Sequence, residues 1–273
     1  MNNKNGFSII ELMVATTLSL LLLTALTEIY LGSKKNYQEQ LAIARLQENG
    51  RLATFILSKN IRTTGYTGCL AGRLNDAIRG YNSSNAPSYV RNKVKSSTDV
   101  IIIKKADTNI THLAADVTKY SSSIKVTGSN PATTSDHQLL IADCLHSELI
   151  TANNDSGKTI MTNSKLKYDY QTADTELAQY TEIAYFISKT SYKDATGQPV
   201  YALYESINQG NKQELVDNIQ NMRIEYGMNS NYYPANAITT WNKVRSVYIV
   251  LDLTINNLHK EWPIYIALRE RIQ

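Results

Sequence analysis

The sequence predicts an α+β fold in which one long N-terminal α-helix packs on an antiparallel, β-rich globular head. Residues 7–27 form a dense apolar block, and a helical spacing of apolar residues continues to about residue 62. From residue 99 onward, apolar and polar residues alternate as they do in strands. No proline occurs before Pro87, so nothing in the first part of the chain forces a break in the helix.

The composition excludes several classes of protein. The 273 residues are 42% hydrophobic and 19% charged, with 18 tyrosines and 3 phenylalanines. Aromatic and β-branched residues run through the whole chain, which argues against disorder. Only one segment is long and apolar enough to span a bilayer, so a polytopic membrane protein is excluded. The net charge of +4 allows contact with anionic surfaces without demanding nucleic acid.

The apolar block carries a single charge, Glu11. As a helix, residues 7–27 would extend roughly 31 Å and match a bilayer core of about 30 Å. A carboxylate at the centre of such a helix costs at least ~2.5 kcal/mol, and less near an end. No cation lies nearby on the same helix face, so we expect the partner of Glu11 to come from another chain or from a new chain end.

Two other interpretations of this block are weaker. A secretory signal peptide has an apolar core of only about 7–15 residues followed by a cleavage site between small residues. Here the block is longer and the helical pattern continues beyond it. A plain membrane anchor fits the length but leaves Glu11 unexplained.

The run from Gly6 to Val14, GFSIIELMV, closely resembles the class III signal of type IV prepilins and pseudopilins. The resemblance implies that a prepilin peptidase cuts after Gly6, and that Phe7 becomes the N-terminus and is N-methylated. It also implies that Glu11 faces the N-terminal amine of a neighbouring subunit in the assembling filament. In this family, the N-terminal amine of a neighbouring subunit is thus the cation that pairs with Glu11. The resemblance also implies a type IV pilin-like fold.

Two further runs, RLQENGR at residues 45–51 and IRTTGYTGC at 61–69, look like those of PilW-type minor pilins of the type IV pilus. The similarity is strong over residues 6–69 and weaker at 142–144 and 213–219. It implies a minor pilin that helps to initiate and assemble type IV pili, the appendages of twitching motility and cell adhesion. The implied partners are the prepilin peptidase, other minor pilins, the major pilin and, in many such systems, a large tip adhesin.

This resemblance also implies a domain order and a location. Residues 1–6 would be the leader, 7–30 the transmembrane and filament-core half of the helix, 31–62 its periplasmic half, and 63–273 the head. The prepilin would cross the inner membrane of a Gram-negative bacterium once, with Lys4 on the cytoplasmic side and the head in the periplasm. The mature subunit would then enter the pilus near its tip.

The chain has two cysteines, Cys69 and Cys144. Both would lie in the periplasm, which is an oxidising compartment, so we predict a disulfide between them. It would close a loop of about 75 residues and stabilise the fold by roughly 4 kcal/mol in the chain-entropy model. Metal binding is the alternative, since Cys144 and His146 offer two ligands, but no C-x-x-C or H-x-x-x-H completes a site. We therefore expect no metal and no cofactor.

Several segments of the head have clear patterns. Val100–Ile103 and Leu139–Ala142 are typical of buried strands, and Ile183, Tyr185 and Ile187 alternate with their neighbours. Alternation is clearest over 247–255, which a turn at Asn256-Asn257 would join to 264–268 in a hairpin. A short helix is predicted at Glu214–Met222, and loops are predicted at 82–88, 128–136, 153–157 and 227–236.

No catalytic motif occurs, so we expect no enzyme activity. Arg91, Lys93 and Lys95 alternate and would line one face of a strand, either as an anionic-contact patch or as a charged sheet edge. Two alternatives to the PilW-type interpretation stay open. One is a J-type minor pseudopilin of type II secretion, and the other is a surface- or DNA-binding pilus adhesin subunit. The tyrosine excess, including Tyr232-Tyr233, fits either a protein interface or a half-buried layer of the sheet.

Overall fold

The fold is known from a computed structural model that describes most of the chain. The described residues are 8–67, 74, 76–128, 131, 137–152, 157–194, 197–255 and 258–268. The chain divides into two compact units, Met1–Gln47 and Glu48–Gln273.

The long N-terminal helix, α1, extends from Ile9 to Arg62 and confirms the predicted helix. Lys59 and Arg62 lie in its last turn, where positive side chains complement the helix dipole. After the last turn, the backbone N–H of Thr64 donates to the carbonyl of Ile61. Gly65 then adopts a φ of +83°, which glycine reaches without steric cost. The helix therefore stops just before Thr63-Thr64-Gly65, at the end that the helical spacing predicted.

The remaining described elements are strands, apart from the short helix α2 (Ser88–Arg91) and two 3₁₀ turns at Ala235–Ala237 and Trp241–Lys243. The strands are β1 (Ile78–Asn82), β2 (Asp99–His112), β3 (Ser123–Lys125), β4 (His137–Ala142), β5 (Ser147–Ala152), β6 (Thr159–Met161) and β7 (Glu176–Lys193). They continue with β8 (Pro199–Ile207), β9 (Lys212–Asp217), β10 (Ile219–Met228), β11 (Asn231–Pro234), β12 (Ser246–Ile255) and β13 (Leu258–Ala267).

Within the described residues the strands form three sheets, and every pairing is antiparallel, as predicted. The first sheet has the order β1-β2-β7-β4-β5, with β8 pairing with both β7 and β9. The second has the order β11-β10-β12-β13, and the third pairs β3 with β6. The long strand β7 joins the two halves of the first sheet because β4 and β8 pair with different parts of it.

The predicted strands at Val100–Ile103, Leu139–Ala142 and 247–255 are confirmed as parts of β2, β4 and β12. In β12, Val247, Ile249, Leu251 and Leu253 are fully buried, whereas the residues between them are partly exposed. The hairpin of β12 with β13 is also confirmed, although its turn at Asn256-Asn257 lies outside the described residues.

The alternation expected around Ile183, Tyr185 and Ile187 is absent, because their neighbours Ala184 and Phe186 are buried as well. On one face of the first sheet, Ala184 and Phe186 belong to a core cluster with residues of β2 and β8. On the other face, the hydroxyl of Tyr185 accepts a hydrogen bond from the Asn60 side chain in α1. Both faces of this part of β7 are therefore covered, so apolar residues do not alternate with polar ones here.

The predicted helix at Glu214–Met222 is wrong, because this segment is the end of β9 and the beginning of β10. Two irregularities produced the helix-like spacing. Asn218 separates the strands with a φ of +59°, and a bulge between Ile219 and Asn221 shifts the register of β10 against β12. Each irregularity displaces a strand alternation by one residue, so buried positions fall at helical intervals.

The predicted loop at 227–236 is also wrong. It contains the end of β10, the strand β11 and a two-residue turn at Asn229 and Ser230, both with positive φ. This is the backbone of a tight hairpin, for which Asn-Gly is the familiar signal and Asn-Ser a weaker one. The predicted loop at 82–88 is a turn between β1 and α2, and most of 128–136 and 153–157 lies outside the described residues.

Within the second unit, α1 packs through a narrow face. Ala53, Leu57 and Ile61 are completely buried, whereas Leu52 and Phe55, which also belong to the apolar pattern, are 43% and 64% exposed. A narrow face made of small and aliphatic side chains lets the helix backbone approach the strands closely.

At Gly50 the backbone of α1 lies close to Trp262 of β13. A Cβ atom at this position would lie 2.5 Å from Cδ2 of Trp262. The indole is fixed there because its Nε1–H donates to Oγ1 of Thr54 at 2.8 Å. From the sequence, Gly50 is a weak point of the helix. In the structure, only glycine leaves room for the indole.

We predict that Gly50→Ala destabilises the head, although alanine is the better helix former by about 1 kcal/mol. The added methyl group would force the Trp262 ring out of its position, and overpacking of this kind costs roughly 1–3 kcal/mol. Thermal unfolding of the full chain in detergent, followed by tryptophan fluorescence, measures the effect. Gly32→Ala is the matched control, since nothing lies within 4 Å of a Cβ atom there. An equal or higher melting temperature for Gly50→Ala would contradict this account of the contact.

Candidate functional site

The candidate site begins at Glu11, in the first turn of α1. Its side chain lies on an exposed apolar surface, between Ile10 and Leu12, which are 71% and 62% exposed. One carboxylate oxygen, Oε2, accepts a hydrogen bond from the backbone N–H of Ser8 at 3.2 Å. A backbone N–H carries no net charge, so this contact orients the carboxylate but does not neutralise it. The pairing of Glu11 with the N-terminal amine of a neighbouring subunit stays a prediction.

The apolar part of α1 is suited to a membrane. By length and composition, α1 is the helix of the described chain that could span one. Five hydroxyl groups in this part donate to backbone carbonyls three or four residues earlier; they belong to Thr16, Thr17, Ser19, Thr24 and Thr27. Each hydroxyl proton is thus satisfied within the helix, which an apolar phase requires.

Gly6 and Phe7, the predicted cleavage and N-methylation residues, lie outside the described residues. Cys69 lies outside them as well, so the disulfide with Cys144 also stays a prediction. Cys144 is exposed in the turn between β4 and β5, and no free cysteine occurs in the part of the chain that the structure describes. The carboxylate of Asp143 accepts hydrogen bonds from the N–H groups of Leu145 and His146, which fixes this turn.

The basic residues Arg91, Lys93 and Lys95 do not line a strand, so the strand-face arrangement predicted for them is wrong. Arg91 is the last residue of α2, and the two lysines follow in the turn after it. Lys95 is engaged inside the head, because its Nζ donates to the backbone oxygen of Gln220 at 2.7 Å and lies 4.1 Å from the centre of the Tyr201 ring. The three charges therefore do not share one strand face for an anionic ligand.

Polar side chains near the end of α1 fix the helix to the first sheet. Asn60 donates through Nδ2 to the hydroxyl of Tyr185 at 2.7 Å, and its Oδ1 accepts from Nζ of Lys105 at 2.7 Å. One residue before Gly50, Asn49 donates through Nδ2 to the carboxylate of Asp217 at 2.9 Å. Directional bonds of this kind set the position of the helix along its own axis.

Burial shifts the acid–base equilibria of this polar group. Desolvation lowers the pKa of Lys105, although the Asp107 carboxylate opposes the shift. Desolvation likewise raises the pKa of the Glu205 carboxyl, which hydrogen-bonds to the Tyr185 hydroxyl. Both shifts have the same main cause, because burial disfavours the charged form of each group.

The sequence did not reveal these anchoring residues, since one asparagine and one lysine in separate elements carry no local signal. Their pairing depends on the register that brings β2 and β7 under α1. Among the described residues, no group of three His, Cys, Asp or Glu side chains is arranged to hold a metal ion. His146 stacks on Tyr168 instead, with ring centres 4.2 Å apart.

Two segments of the chain match models of known families. Residues 1–27 match the prokaryotic N-terminal methylation motif. Residues 184–260 match the Type IV Pilus-assembly protein W family. No curated protein sequence matches the chain significantly, and no solved structure does so either.

The two matches lie in different parts of the molecule. The first includes Gly6, Phe7 and Glu11. The second begins in β7 and ends in β13, whereas we expected the PilW-type similarity to be strongest over residues 6–69. Together they confirm the predicted resemblance: over these residues the chain matches a PilW-type, prepilin-like protein, and this supports a pilin related to the type IV pilus.

Proposed function

We propose that this chain is a minor pilin that helps to initiate and assemble type IV pili. It enters the inner membrane as a prepilin, is cleaved after Gly6 and is N-methylated at Phe7. It then joins other minor pilins in a priming complex that becomes the pilus tip, with the major pilin added beneath. The role is structural and not catalytic.

The observation that carries this proposal is the carboxylate of Glu11 on an exposed apolar helix surface. A charge in that position is costly unless a cation neutralises it. An N-terminal amine, released by cleavage after Gly6 in a neighbouring subunit, is a cation that can reach the same depth. The match of residues 1–27 to the N-terminal methylation motif supports this pairing, because a methylated amine remains protonated.

The contacts near the end of α1 support a role in force-bearing assembly. The hydrogen bonds of Asn49, Thr54 and Asn60 connect the helix to β9, β13 and the first sheet. A subunit held in a filament by its helix must transmit load to its head, and these bonds resist sliding of the helix along the strands. The match to a pilus-assembly family favours pilus biogenesis over type II secretion for this machinery.

We also propose that Cys69 and Cys144 form a disulfide in the mature protein. The exported head would be in an oxidising compartment, where two cysteines of one chain tend to pair. Support comes from the absence of a free cysteine in the described part of the chain, which includes Cys144. Cys69 follows the end of α1 by a few residues, so the bond would tie this end of the helix to the β4–β5 turn.

We predict that Glu11→Ala reduces both surface piliation and co-purification with other minor pilins by about tenfold or more in the native host. The reason is that removing one member of a charge pair in apolar surroundings leaves the other uncompensated, at a cost of about 3–5 kcal/mol. Electron microscopy of cells and affinity isolation from solubilised membranes measure the two effects.

Glu28→Ala is the matched control, since it removes a carboxylate from the same helix beyond the apolar block. We expect near-normal piliation for this variant and normal membrane levels for both. Unchanged piliation together with unchanged co-purification in the Glu11→Ala strain would overturn the proposed docking role.

We predict that the protein isolated from sheared pili begins at methylated Phe7. Its intact mass should be about 2 Da below that of the fully reduced chain, since a disulfide lacks two hydrogens. Intact-mass spectrometry with N-terminal sequencing measures processing and redox state together. Treatment with a reductant is the control and should restore the missing mass. A chain that retains Met1 in the pilus fraction, or a mass unchanged by reduction, would refute the corresponding proposal.

A further inference from the structure

Three tyrosines from three strands form one cluster on the outer face of the second sheet. Tyr232 lies on β11, Tyr248 on β12 and Tyr265 on β13, and we call them the tyrosine patch. The rings of Tyr248 and Tyr265 are stacked, with centres 4.3 Å apart. The Tyr232 ring stands across both of them, at 5.9 and 6.4 Å. The opposite face of the sheet carries the buried side chains of β12, so the patch is not part of the core.

The tyrosine patch is exposed and already ordered. Tyr265 is 67% exposed and Tyr232 is 40% exposed, although tyrosines of this sheet that face inward, such as Tyr226, are completely buried. The hydroxyl of Tyr232 accepts a hydrogen bond from Ser246 Oγ at 3.2 Å, and the Tyr248 and Tyr265 hydroxyls bond to each other. A partner would therefore meet rings that need little further ordering, which lowers the entropic cost of binding.

Carboxylates surround the tyrosine patch. Glu225 pairs with Tyr248 across the β10–β12 ladder and is exposed. It makes no ion pair with any residue that the structure describes. Further along the same face, Asp252 and Glu261 share one cation, because the Arg223 guanidinium lies 3.5 Å from the first and 2.6 Å from the second. These three carboxylates thus share a single guanidinium group nearby, and Glu225, the carboxylate without an ion pair, is the one beside the rings.

The pKa of Tyr248 reflects the same surroundings. It lies above its ordinary value, first because of the hydrogen bond to Tyr265 and further because of the Glu225 and Glu261 carboxylates. The neighbouring carboxylates therefore favour the neutral form of Tyr248.

We propose that the tyrosine patch and Glu225 bind a protein segment through an arginine or lysine side chain. The cation pairs with the Glu225 carboxylate and contacts the ring of Tyr248, the ladder partner of Glu225, while Tyr265 supports that ring from its other side. A cation over an aromatic face is attracted by the ring quadrupole, and a neighbouring carboxylate strengthens the contact. This surface goes beyond the proposed function, because it involves neither the N-terminal motif nor α1.

Other ligands fit this surface less well. Nucleic acid would be repelled by the carboxylates, since its affinity comes mainly from phosphate contacts with cations. A flat glycan stack would need coplanar rings, whereas the Tyr232 ring is inclined by 66° and 74° to the other two. Strand addition along the edge of β13 is hindered by Pro263, which has no N–H to donate. A side-chain contact with a cationic protein segment is the interaction that remains.

The test uses the full chain in its native host, with a photo-cross-linking amino acid in place of Ala267. Ala267 is exposed on the same face, two residues after Tyr265, so the tyrosine patch itself is left intact. Adducts are digested and the joined peptides are identified by mass spectrometry. We expect a protein adduct whose joined peptide contains an arginine or lysine near the cross-link. The same cross-linker at Tyr120, which is 66% exposed outside this sheet, gives the background level.

Substitutions at the tyrosine patch distinguish this specific contact from nonspecific binding. We expect Glu225→Gln and Tyr265→Leu each to lower the yield of the adduct by about fivefold or more. We expect Tyr265→Phe to keep most of it, because phenylalanine can still stack on the Tyr248 ring. Glu48→Gln is the control for charge, as it removes an exposed carboxylate outside this sheet. Because Glu225 is exposed, its variant retains the fold and keeps the test valid even if Tyr265→Leu unfolds.

Four results would overturn the inference. They are an adduct no stronger than that at position 120, an adduct with glycan, lipid or nucleic acid, a joined peptide without a cation, and a yield unaffected by Glu225→Gln. If the cross-linked partner is cationic but does not belong to the pilus, the role of the tyrosine patch is supported and the proposed pilus function is contradicted. The experiment therefore distinguishes failure of the binding proposal from failure of the proposed function.

Discussion

A single carboxylate in an apolar helix is the constraint on which the biology of this molecule depends. Glu11 is exposed among aliphatic side chains, and its hydrogen bond from the Ser8 backbone supplies orientation without charge. In water such a residue would be unremarkable, but in a bilayer or a packed bundle of helices it requires a cation. Five hydroxyl groups of the same segment bond to carbonyls of their own helix and so need no partner outside it. In the proposed function, the N-terminal amine of an assembling neighbour supplies that cation.

The head is organised so that the end of α1 is held firmly. Gly50 lets the helix backbone meet the Trp262 ring, and the indole is fixed by Thr54. Asn60 adds directional bonds to Tyr185 and Lys105 where hydrophobic packing alone would allow sliding. The outer face of the second sheet carries the clustered rings and the unpaired carboxylate of Glu225. The proposed attachment by the helix and the proposed recognition by the sheet therefore use separate surfaces of one chain.

The sequence was most informative where one local pattern persists. The 54 residues of α1 follow from an uninterrupted helical spacing without proline, and β12 follows from strict alternation. The sequence pattern gave a wrong prediction where the strand alternation is interrupted. Asn218 and the bulge after Ile219 give two strands the apolar spacing of a helix. The anchoring group around Asn60 and the tyrosine patch could not be predicted, since both are assembled by strand register from residues far apart in the sequence. A glycine at position 50 by itself predicts only a weak point of the helix, because the indole that requires it lies more than two hundred residues away in the sequence.

The central claim is that the Glu11 carboxylate lies against the N-terminal amine of a neighbouring subunit. An apolar carbodiimide that penetrates membranes can join such a carboxylate directly to the amine with no spacer, so product forms only where the two groups touch. We expect a joined peptide in assembled pilus complexes that links Glu11 to the N-methylated first residue of another chain. Recovery of Glu11 unlinked, while other buried carboxylates of the same complexes have reacted, would contradict it.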